Sequence, residues 1–498
     1  MATQAWPCHP AIPRAEPMTN DETPCLADLA PDPAPWLGIG EVVRLAVPMV
    51  LNTVSVTVMG FVDGWMVSKV SKEALSAQFI GGLSAFVPVC FFMGLLSCVS
   101  TFASQNLGAG RPERSSVYGW HGLWVAWAAA GLLALLILPA PYLMALFGHE
   151  PHVAALETTY FQILLGGAFF SLSARALGAW FVGVHRPGIN LVAGIVANAV
   201  NVVANYCLIF GKFGFPALGL AGAGIGTVLG FAVEAAIFAV VFVADAAGPE
   251  FKVRQHFCFR WSAVKDLLRI GTPAGVMFSG DILMWTIFMG GILGSFGTAA
   301  LAAAAILNRY WHLCFMPALG VSAAVTAIVG RHCGAGRRRL AWRRAHAGFI
   351  LVEVYMVSMG LMLFLGRGPL VAIFNEAGDP LVQSIAERAM LLILLCQAFD
   401  AMNIVFIGSL RGAGDTLWPA TVQLVLAYGL GLGGAWLVAQ VKPEWGSLGP
   451  WGAVAGYIMV LGLVMWTRFL RGKWRTVRLV QPPPAIPVTD EPTSLPPG

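Results

Sequence analysis

Three aspartates lie in long apolar segments of the sequence, where a charged group is costly. Asp63, Asp281 and Asp400 each have mainly hydrophobic neighbours, and a charge at the centre of a bilayer costs roughly 2.5–3.5 kcal/mol on insertion scales. Carboxyl groups kept in such surroundings can carry a proton or, when ionised, bind Na⁺ or an organic cation. One carboxylate shared by two competing cations is a simple basis for antiport. We therefore predict that all three aspartates take part in cation coupling and that Asp281 and Asp400 also bind the substrate.

Amide side chains recur at helical spacing in another apolar segment. Asn198, Asn201 and Asn205 are three and four residues apart, which places them on one face of a helix. Asn201 and Asn205 are therefore candidate partners of Asp63 in a cation site. Hydrogen bonding between neighbouring helices would explain the same spacing, and the sequence leaves both interpretations open.

Aromatic and methionine side chains accompany two of the aspartates. Such side chains bind flat, lipophilic cations by stacking and cation–π contact, although the same stripe can face lipid or fill a core. The candidate substrate-contacting residues of this kind are Phe61, Met284, Trp285 and Phe288.

Four further charges fall inside apolar segments. Glu234 and Glu353 are interpreted as members of internal ion pairs or as acids that reach water at a helix end. Arg175 and Arg309 are possible partners for the buried acids.

The composition indicates a membrane protein. Of the 498 residues, 57% are hydrophobic and only 11% are charged, whereas soluble domains carry about a quarter charged residues. Because lipid cannot hydrogen-bond the backbone, only helices and closed barrels span a bilayer, and a helix needs about 20 apolar residues to do so. The continuous apolar runs predict an all-α integral membrane fold. Twelve spans are predicted, at residues 42–67, 76–104, 117–139, 154–182, 189–211, 219–244, 265–294, 300–329, 343–366, 382–408, 417–440 and 451–470.

Lysine and arginine divide unequally between the two sets of loops. Of the 30 basic residues, 22 fall in one set, five in the other and three within predicted spans. Because cytoplasmic loops are enriched in basic residues, this asymmetry predicts a protein of the cell inner membrane with both termini in the cytoplasm. The Pro-rich ends predict disordered tails. The predicted division is a tail at 1–40, a six-helix lobe at 41–248, a cytoplasmic linker at 249–264, a second six-helix lobe at 265–475 and a tail at 476–498.

The two halves of the chain repeat each other. The motif Gly-Ala-Gly-Arg at 108–111 recurs at 334–337, and the same offset in residue number aligns other positions of the two halves. Because each half has an even number of spans, both halves begin on the same side and the repeat is parallel. Such a repeat predicts two lobes around a central cleft that opens alternately to each face of the membrane.

Several motifs together resemble those of the multidrug and toxic compound extrusion (MATE) family, whose superfamily also contains flippases. The resemblance covers about residues 40–475. It rests on Gly60-Phe-Val-Asp63, Gln105-Asn-Leu-Gly-Ala-Gly110, Asn198…Asn201…Asn205…Ile209-Phe-Gly211 and Phe399-Asp400 leading to Leu410-Arg-Gly-Ala-Gly-Asp-Thr416.

The resemblance implies a function and roles for individual residues. It implies an exporter of small organic cations that uses H⁺ or Na⁺ and no other cofactor. We expect the protein to be a monomer. In the NorM-like subgroup, Asp63 and the amides of the fifth span couple cations in the first lobe, and Asp281 and Asp400 match acids of the second. Any of these aspartates can hold Na⁺. Another subgroup has an aspartate where this chain has Asn205, so the coupling ion remains open.

Other functions have less support from the residues. A flippase for a lipid-linked substrate is expected to need a basic cavity, and only Arg175 and Arg309 favour it. An intramembrane enzyme or receptor has no motif in its favour, because HExxH, GxSxG and GxxxxGK[ST] are all missing from the sequence. The net charge of +5 gives no indication of nucleic-acid binding, and the nine cysteines, without a CxxC pair, predict apolar packing.

Overall fold

The computed structural model describes residues 38–245, 247–375 and 378–480, so the predicted tails lie largely outside the described residues. Every regular element within these ranges is a helix. The predicted fold of twelve membrane-spanning helices is confirmed, counting one bent pair as a single span. Helices α1–α12 are Ile39–Ser68, Lys72–Gly108, Pro112–Ile137, Pro151–Gly166 with Ala168–Gly183, Pro187–Phe210, Leu220–Val243, Trp261–Phe296, Thr298–Gly334, Arg338–Leu365, Pro380–Ala413, Leu417–Val441 and Leu448–Leu470.

Helix α4 is the bent pair. Its segments Pro151–Gly166 (α4a) and Ala168–Gly183 (α4b) meet at 45°, and paired small residues are a common cause of such kinks. A methyl group on Gly167 would overlap the side chain of Val228 in α6. Both segments pack on α2 and α6, and α4b also makes the main contact with α3.

The helices form two six-helix lobes, α1–α6 and α7–α12, around a central cleft. Helix α1 of the first lobe packs on α8 of the second, and α2 packs on α7. These two pairings are equivalent under the sequence repeat, because α1 corresponds to α7 and α2 to α8. The lobes therefore meet in a two-fold arrangement, as expected for a parallel repeat.

The lobes touch in the half of the molecule nearer to the end that carries most of the arginines, and that end is here called the basic face. A Cβ atom on Gly94 of α2 would lie 2.7 Å from the carbonyl oxygen of Ala274 in α7. One on Gly320 of α8 would lie 2.8 Å from the amide nitrogen of Val50 in α1. Positions 94 and 320 are equivalent in the sequence repeat, so the repeat produces the same close helix contact twice, with glycine permitting it each time.

The duplicated Gly-Ala-Gly-Arg motif makes a second matched pair of contacts at the basic face. A methyl group on Gly108 would overlap the carbonyl oxygen of Arg331, and one on Gly334 would overlap the carbonyl oxygen of Gln105. Gln105 and Arg331 are again equivalent positions of the repeat. Each lobe thus places the end of one helix directly on the backbone of the other lobe, which closes the cleft on this side.

Polar side chains join the lobes around these glycines. The Gln105 amide donates to the carbonyl oxygen of Gly412 at 2.9 Å, and the Thr101 hydroxyl donates to the carbonyl oxygen of Arg411 at 3.0 Å. The Arg344 guanidinium donates to the Glu41 carboxylate at 2.7 Å. Both lobes therefore contribute donors and acceptors to the closed side of the cleft.

His185 lies in the turn between α4 and α5 and faces several charged groups of this contact. Its Nε2 is 3.2 Å from the carbonyl oxygen of Ala327, and its Nδ1 is 3.3 Å from the Arg331 guanidinium. Burial and the nearby Arg331 charge lower the pKa of His185 to about 4. Glu41 and His332 also act on it electrostatically. The imidazole is therefore neutral while the lobes are in contact.

Lowering the pH is expected to separate the lobes at the basic face. When the lobes part, His185 returns toward its ordinary pKa of about 6.5, so it binds a proton more readily there than in the closed contact. Its contribution to closure is complete above pH 6.5 and is lost as the pH falls toward 4. At pH 5 the shift amounts to at most about 30-fold in the closed-to-open ratio. Distances between spin labels on the two lobes measure this ratio, and His185→Gln should remove the response. An unchanged response in this variant would show that His185 is not the group whose protonation separates the lobes.

The predicted linker is attached to the first lobe. Short 3₁₀ turns at Pro249–Phe251 and Val253–His256 pack on α3, and α7 begins at Trp261. The Trp120 indole donates to the carbonyl oxygen of Val253 at 2.9 Å, and the backbone amide of Arg260 donates to a ring nitrogen of His121 at 2.7 Å. These bonds fix the direction in which the chain enters the second lobe.

Candidate cation sites in the two lobes

The first lobe places Asp63 beside the amides of α5. Asp63 is 7% exposed and lies in the last third of α1. The Asn205 amide donates to its carboxylate at 2.7 Å and to the Asn201 side-chain oxygen at 3.3 Å. The spacing of four residues between the two asparagines thus brings both amides to one carboxylate. Asn198 bonds instead to Ser55 at 2.6 Å, two turns away from Asp63 along α1.

Two residues that were not predicted from the sequence also belong to this site. The Asn201 amide is 3.5 Å from the Thr227 hydroxyl of α6, and Tyr160 of α4a interacts electrostatically with Asp63. The side-chain oxygen of Asn205 is buried with no hydrogen-bond partner among the described residues. A carboxylate next to an unpaired amide oxygen provides oxygen ligands for Na⁺, and the carboxylate alone can bind a proton. Isolated polar residues in apolar helices were the available signal, but their depth along each helix could not be read from the sequence.

The second lobe brings Asp281 of α7 and Asp400 of α10 close enough for their charges to interact. Asp400 is 4% exposed, and its charge and that of Asp281 act on each other. The Gln423 amide of α11 donates to Asp281 at 3.2 Å. The hydroxyl of Tyr428, also on α11, donates to the carbonyl oxygen of Gly280 at 3.0 Å. Three helices therefore surround two acids, whereas the first lobe has one.

Amide oxygens that accept no hydrogen bond from the described residues lie beside this acid pair. The side-chain oxygens of Gln397, Asn403 and Gln423 are buried and accept no hydrogen bond from the described residues. Gln397 and Asn403 are one turn before and after Asp400 on α10, so they share its helix face. Buried polar atoms are normally paired, and unpaired ones often indicate an absent ion or water. The oxygens fit a cation that both acids attract.

Two of the helices around the second site depart locally from regular α-helical geometry. Residues Ile287–Ile292 of α7 and Ala427–Gly433 of α11 form π-helical segments, and they are the only such segments in the described residues. Tyr428 belongs to the second of them. Because π-helical turns cluster at functional sites and weaken the regular bonding of a helix, these segments give α7 and α11 places to bend near Asp281.

The predicted substrate wall is only partly accessible. Met284 and Phe288 are fully buried in the core of the second lobe, and the Phe288 ring packs on Trp451 at 5.2 Å. Trp285 is half-buried against Trp311, and Phe61 is 74% exposed. In this state of the molecule only Trp285 and Phe61 offer surface to a ligand. Met284 and Phe288 pack in the core because their positions on α7 face the other helices of the second lobe.

Four other charged residues lie within the membrane-spanning helices. One carboxylate oxygen of Glu353 is buried without a hydrogen bond from the described residues. Glu234 acts electrostatically on Arg175 without forming a close ion pair in the described part of the chain. Arg309 lies over the ring of Phe374 at 4.7 Å. Two arginines were predicted as partners for buried acids. Arg175 is within electrostatic range of an acid, whereas Arg309 lies over an aromatic ring instead.

No group of three or more His, Cys, Asp or Glu side chains in the described residues is arranged to hold a metal ion. Five of the seven described cysteines are buried in helices: Cys90, Cys98, Cys207, Cys314 and Cys396. A cation in either lobe would instead be held by carboxylate and amide oxygens, which suit hard ions.

Comparison with known proteins reproduces the two-lobed organisation. The MatE family model matches the chain twice, over residues 48–207 and 280–437, once in each lobe. A probable multidrug resistance protein NorM from Thermotoga maritima is 28% identical over 441 residues, covering 87% of this chain and 92% of that protein. A protein of the same description from Pseudomonas putida is 27% identical over 453 residues, covering 90% and 96%.

Solved structures share the fold. The crystal structure of the Vibrio cholerae MATE transporter VcmN has a TM-score of 0.77 at 20% identity and covers 87% of this chain and 96% of its own. The eukaryotic MATE transporter AtDTX14 has a TM-score of 0.77 at 19% identity and covers 88% and 96%. Two matches to one family model, one per lobe, together with full-length relatives, show that this chain belongs to the MatE family as a NorM-like MATE protein.

Proposed function

We propose that the protein is a secondary active multidrug exporter that exchanges small organic cations for H⁺ or Na⁺ by alternating access. The observation that carries this proposal is the presence of a buried carboxylate site in each lobe, next to amide oxygens without partners. Such a site attracts a proton, a sodium ion and an organic cation alike, so binding of one displaces another. The names of the relatives support a role in multidrug resistance.

The contacts between the lobes support alternating access. The cleft is closed at the basic face by paired glycine contacts and polar bonds. We propose that this face is cytoplasmic, that both termini lie there in the inner membrane, and that the structure represents the state closed to the cytoplasm. The working unit is a monomer with lobes at 41–248 and 265–475. No reaction chemistry is required of the protein beyond binding and release.

Transport in everted membrane vesicles tests the proposal. Vesicles from an efflux-deficient host that produces the protein should accumulate ethidium when respiration loads the vesicle interior with the driving ion. A protonophore that collapses accumulation at constant Na⁺ would identify H⁺ as the driving ion, and dependence on added Na⁺ would identify Na⁺. Accumulation equal to that of vesicles without the protein, for every organic cation tried, would contradict the proposal and favour a flippase.

A further inference from the structure

A cavity of about 560 Å³ lies in the second lobe, at the end opposite the basic face. Helix α9 ends there at Leu365, a short helix, Arg367–Phe374, follows it, and α10 begins there at Pro380. The volume is within the range of roughly 300–1,000 Å³ that is usual for ligand pockets. The residues that line the cavity are mostly polar: Phe364, Arg367, Pro380, Gln383, Ser384, Glu387, Arg388 and Leu391.

The two arginines of this lining are not neutralised by an acid. The Arg367 guanidinium donates to the carbonyl oxygen of Phe364 at 2.9 Å and lies over the Phe364 ring, 4.5 Å from its centre. Arg388 is exposed and has no hydrogen bond or ion pair within the described ranges. Because a guanidinium has five N–H donors, both side chains keep most of their hydrogen-bonding capacity for a ligand.

The acids at this end of α10 leave the cavity with a net positive charge. The Gln383 amide donates to the Glu387 carboxylate at 2.5 Å and to the carbonyl oxygen of Gly368 at 3.0 Å, which fixes the cavity wall. The carboxylate of Asp379 accepts a bond from the backbone amide of Leu381 at 2.8 Å, and Asp379 does not line the cavity. Two arginines and one glutamate therefore give the lining a charge of +1.

Topology does not explain why these arginines are here. Basic residues are concentrated in cytoplasmic loops of membrane proteins, and Arg367 is the only arginine among the five basic residues of the loops predicted at this end. Arg388 lies still deeper, about two turns into α10. A use for their charge is the simplest reason for placing two arginines on one cavity.

Apolar surface lies directly below the arginines. Because α9 runs toward this end and α10 runs away from it, Phe364 and Leu391 are each one turn, about 4.5 Å, deeper in the membrane than the nearby arginine. Leu391 and Leu395 are 44% and 48% exposed, and their spacing of four residues places them on one face of α10. Cationic groups above and an exposed apolar strip below match the profile of a phospholipid.

We propose that this cavity binds an anionic phospholipid of the phosphatidylglycerol type. Its phosphodiester bonds to Arg367 and Arg388, since guanidinium groups pair strongly with phosphate oxygens, and its acyl chains lie along Leu391 and Leu395. Basic pockets between membrane helices bind anionic headgroups in this way. One phosphodiester neutralises the charge of +1, whereas the ammonium group of phosphatidylethanolamine would restore it. The lipid is a bound component of the second lobe, whatever the protein exports.

Native mass spectrometry of the purified full-length protein in detergent tests this proposal, with phosphatidylglycerol and phosphatidylethanolamine of identical acyl chains. Wild-type protein should bind phosphatidylglycerol more tightly. A basic residue at the membrane surface contributes roughly fivefold to the binding of an anionic lipid, so Arg367→Gln and Arg388→Gln should each weaken its binding by about that factor. Arg388→Lys, which keeps the charge, should retain part of the affinity.

Two further variants separate a lipid site from a general effect on the fold. Glu387→Gln removes the negative charge of the lining and should tighten phosphatidylglycerol binding, a gain that misfolding cannot produce. Lys442→Gln is the matched control, because Lys442 lies in a loop at the same end and pairs with Glu444 at 3.5 Å. It should bind both lipids as the wild type does.

The opposite results are equally clear. Unchanged phosphatidylglycerol binding in both arginine-to-glutamine variants, or equal binding of the two lipids by the wild type, would overturn the inference. Equal weakening in Lys442→Gln would overturn it as well, because any positive charge at this end would then suffice. Displacement of the lipid by an equal concentration of free glycerol phosphate would show an anion site without recognition of acyl chains. Gel filtration and thermal unfolding check that each variant is folded.

Discussion

Substituting alanine for Gly108 or Gly334 is expected to lower transport at least tenfold without preventing folding of either lobe. Each added methyl group would overlap a backbone carbonyl of the opposite lobe, and a backbone cannot move aside as a side chain can. Overpacking of this kind costs about 1–3 kcal/mol, which changes the ratio of closed to open states roughly 5- to 150-fold. The cost falls only on the state closed at the basic face, so each lobe by itself should remain as stable as before.

Spin-label distances across the basic face and transport rates in vesicles together measure this effect. The variants should show a longer distance between the lobes and slower transport. The temperature at which each lobe unfolds should be unchanged. Gly188→Ala provides the control, because this glycine is near the start of α5 and a methyl group there meets no atom within 4 Å. Wild-type distances in both Gly108→Ala and Gly334→Ala would show that the contact does not limit closure.

Changing Asp63 or Asp400 to asparagine is expected to abolish substrate-dependent ion exchange, with at least a 100-fold loss, while expression is retained. Asparagine has the shape of aspartate and can still accept the bond that Asn205 donates to position 63, so the local fold should persist. It cannot release a proton or balance a bound cation, so no competition between ion and substrate is left at that site. Asp281→Asn should lose less, since Gln423 already bonds its carboxylate and Asp400 remains.

Exchange can be followed in everted vesicles by adding substrate to a preformed gradient and recording proton or Na⁺ release. Glu444→Gln is the matched change of acid to amide, because Glu444 is exposed in the loop between α11 and α12. It should behave as wild type. If both Asp63→Asn and Asp400→Asn retained wild-type exchange, these two residues would not be the ones that couple ion and substrate.

We expect the two sites to contribute differently to transport, because the repeat duplicates the arrangement of the helices but not the acidic residues. Under the offset that aligns the two Gly-Ala-Gly-Arg motifs, Asp63 falls on Met289 and Asp400 falls on Ala174. The site of the first lobe has one acid and two asparagines, whereas that of the second has two acids, three amide side chains whose oxygens accept no hydrogen bond from the described residues, and two π-helical segments nearby. We expect the loss of each site to alter ion dependence differently, even where both losses stop transport.

The sequence by itself determined the helices, their number and the repeat, because a bilayer allows little besides apolar helices of sufficient length. It also placed Asn201 and Asn205 on one helix face, since a spacing of four residues keeps two side chains on the same side of a helix. Such local periodicity needs no knowledge of the neighbouring helix.

Only the tertiary structure decided what each helix face meets. It brought Thr227, Tyr160 and Gln423 to the acid sites and buried Met284 and Phe288 in the core of the second lobe. The rotation and depth of a helix follow from packing against its neighbours, and hydropathy is nearly the same on all sides of a span. For that reason the acids could be recognised from the sequence, whereas the groups that surround them required the fold.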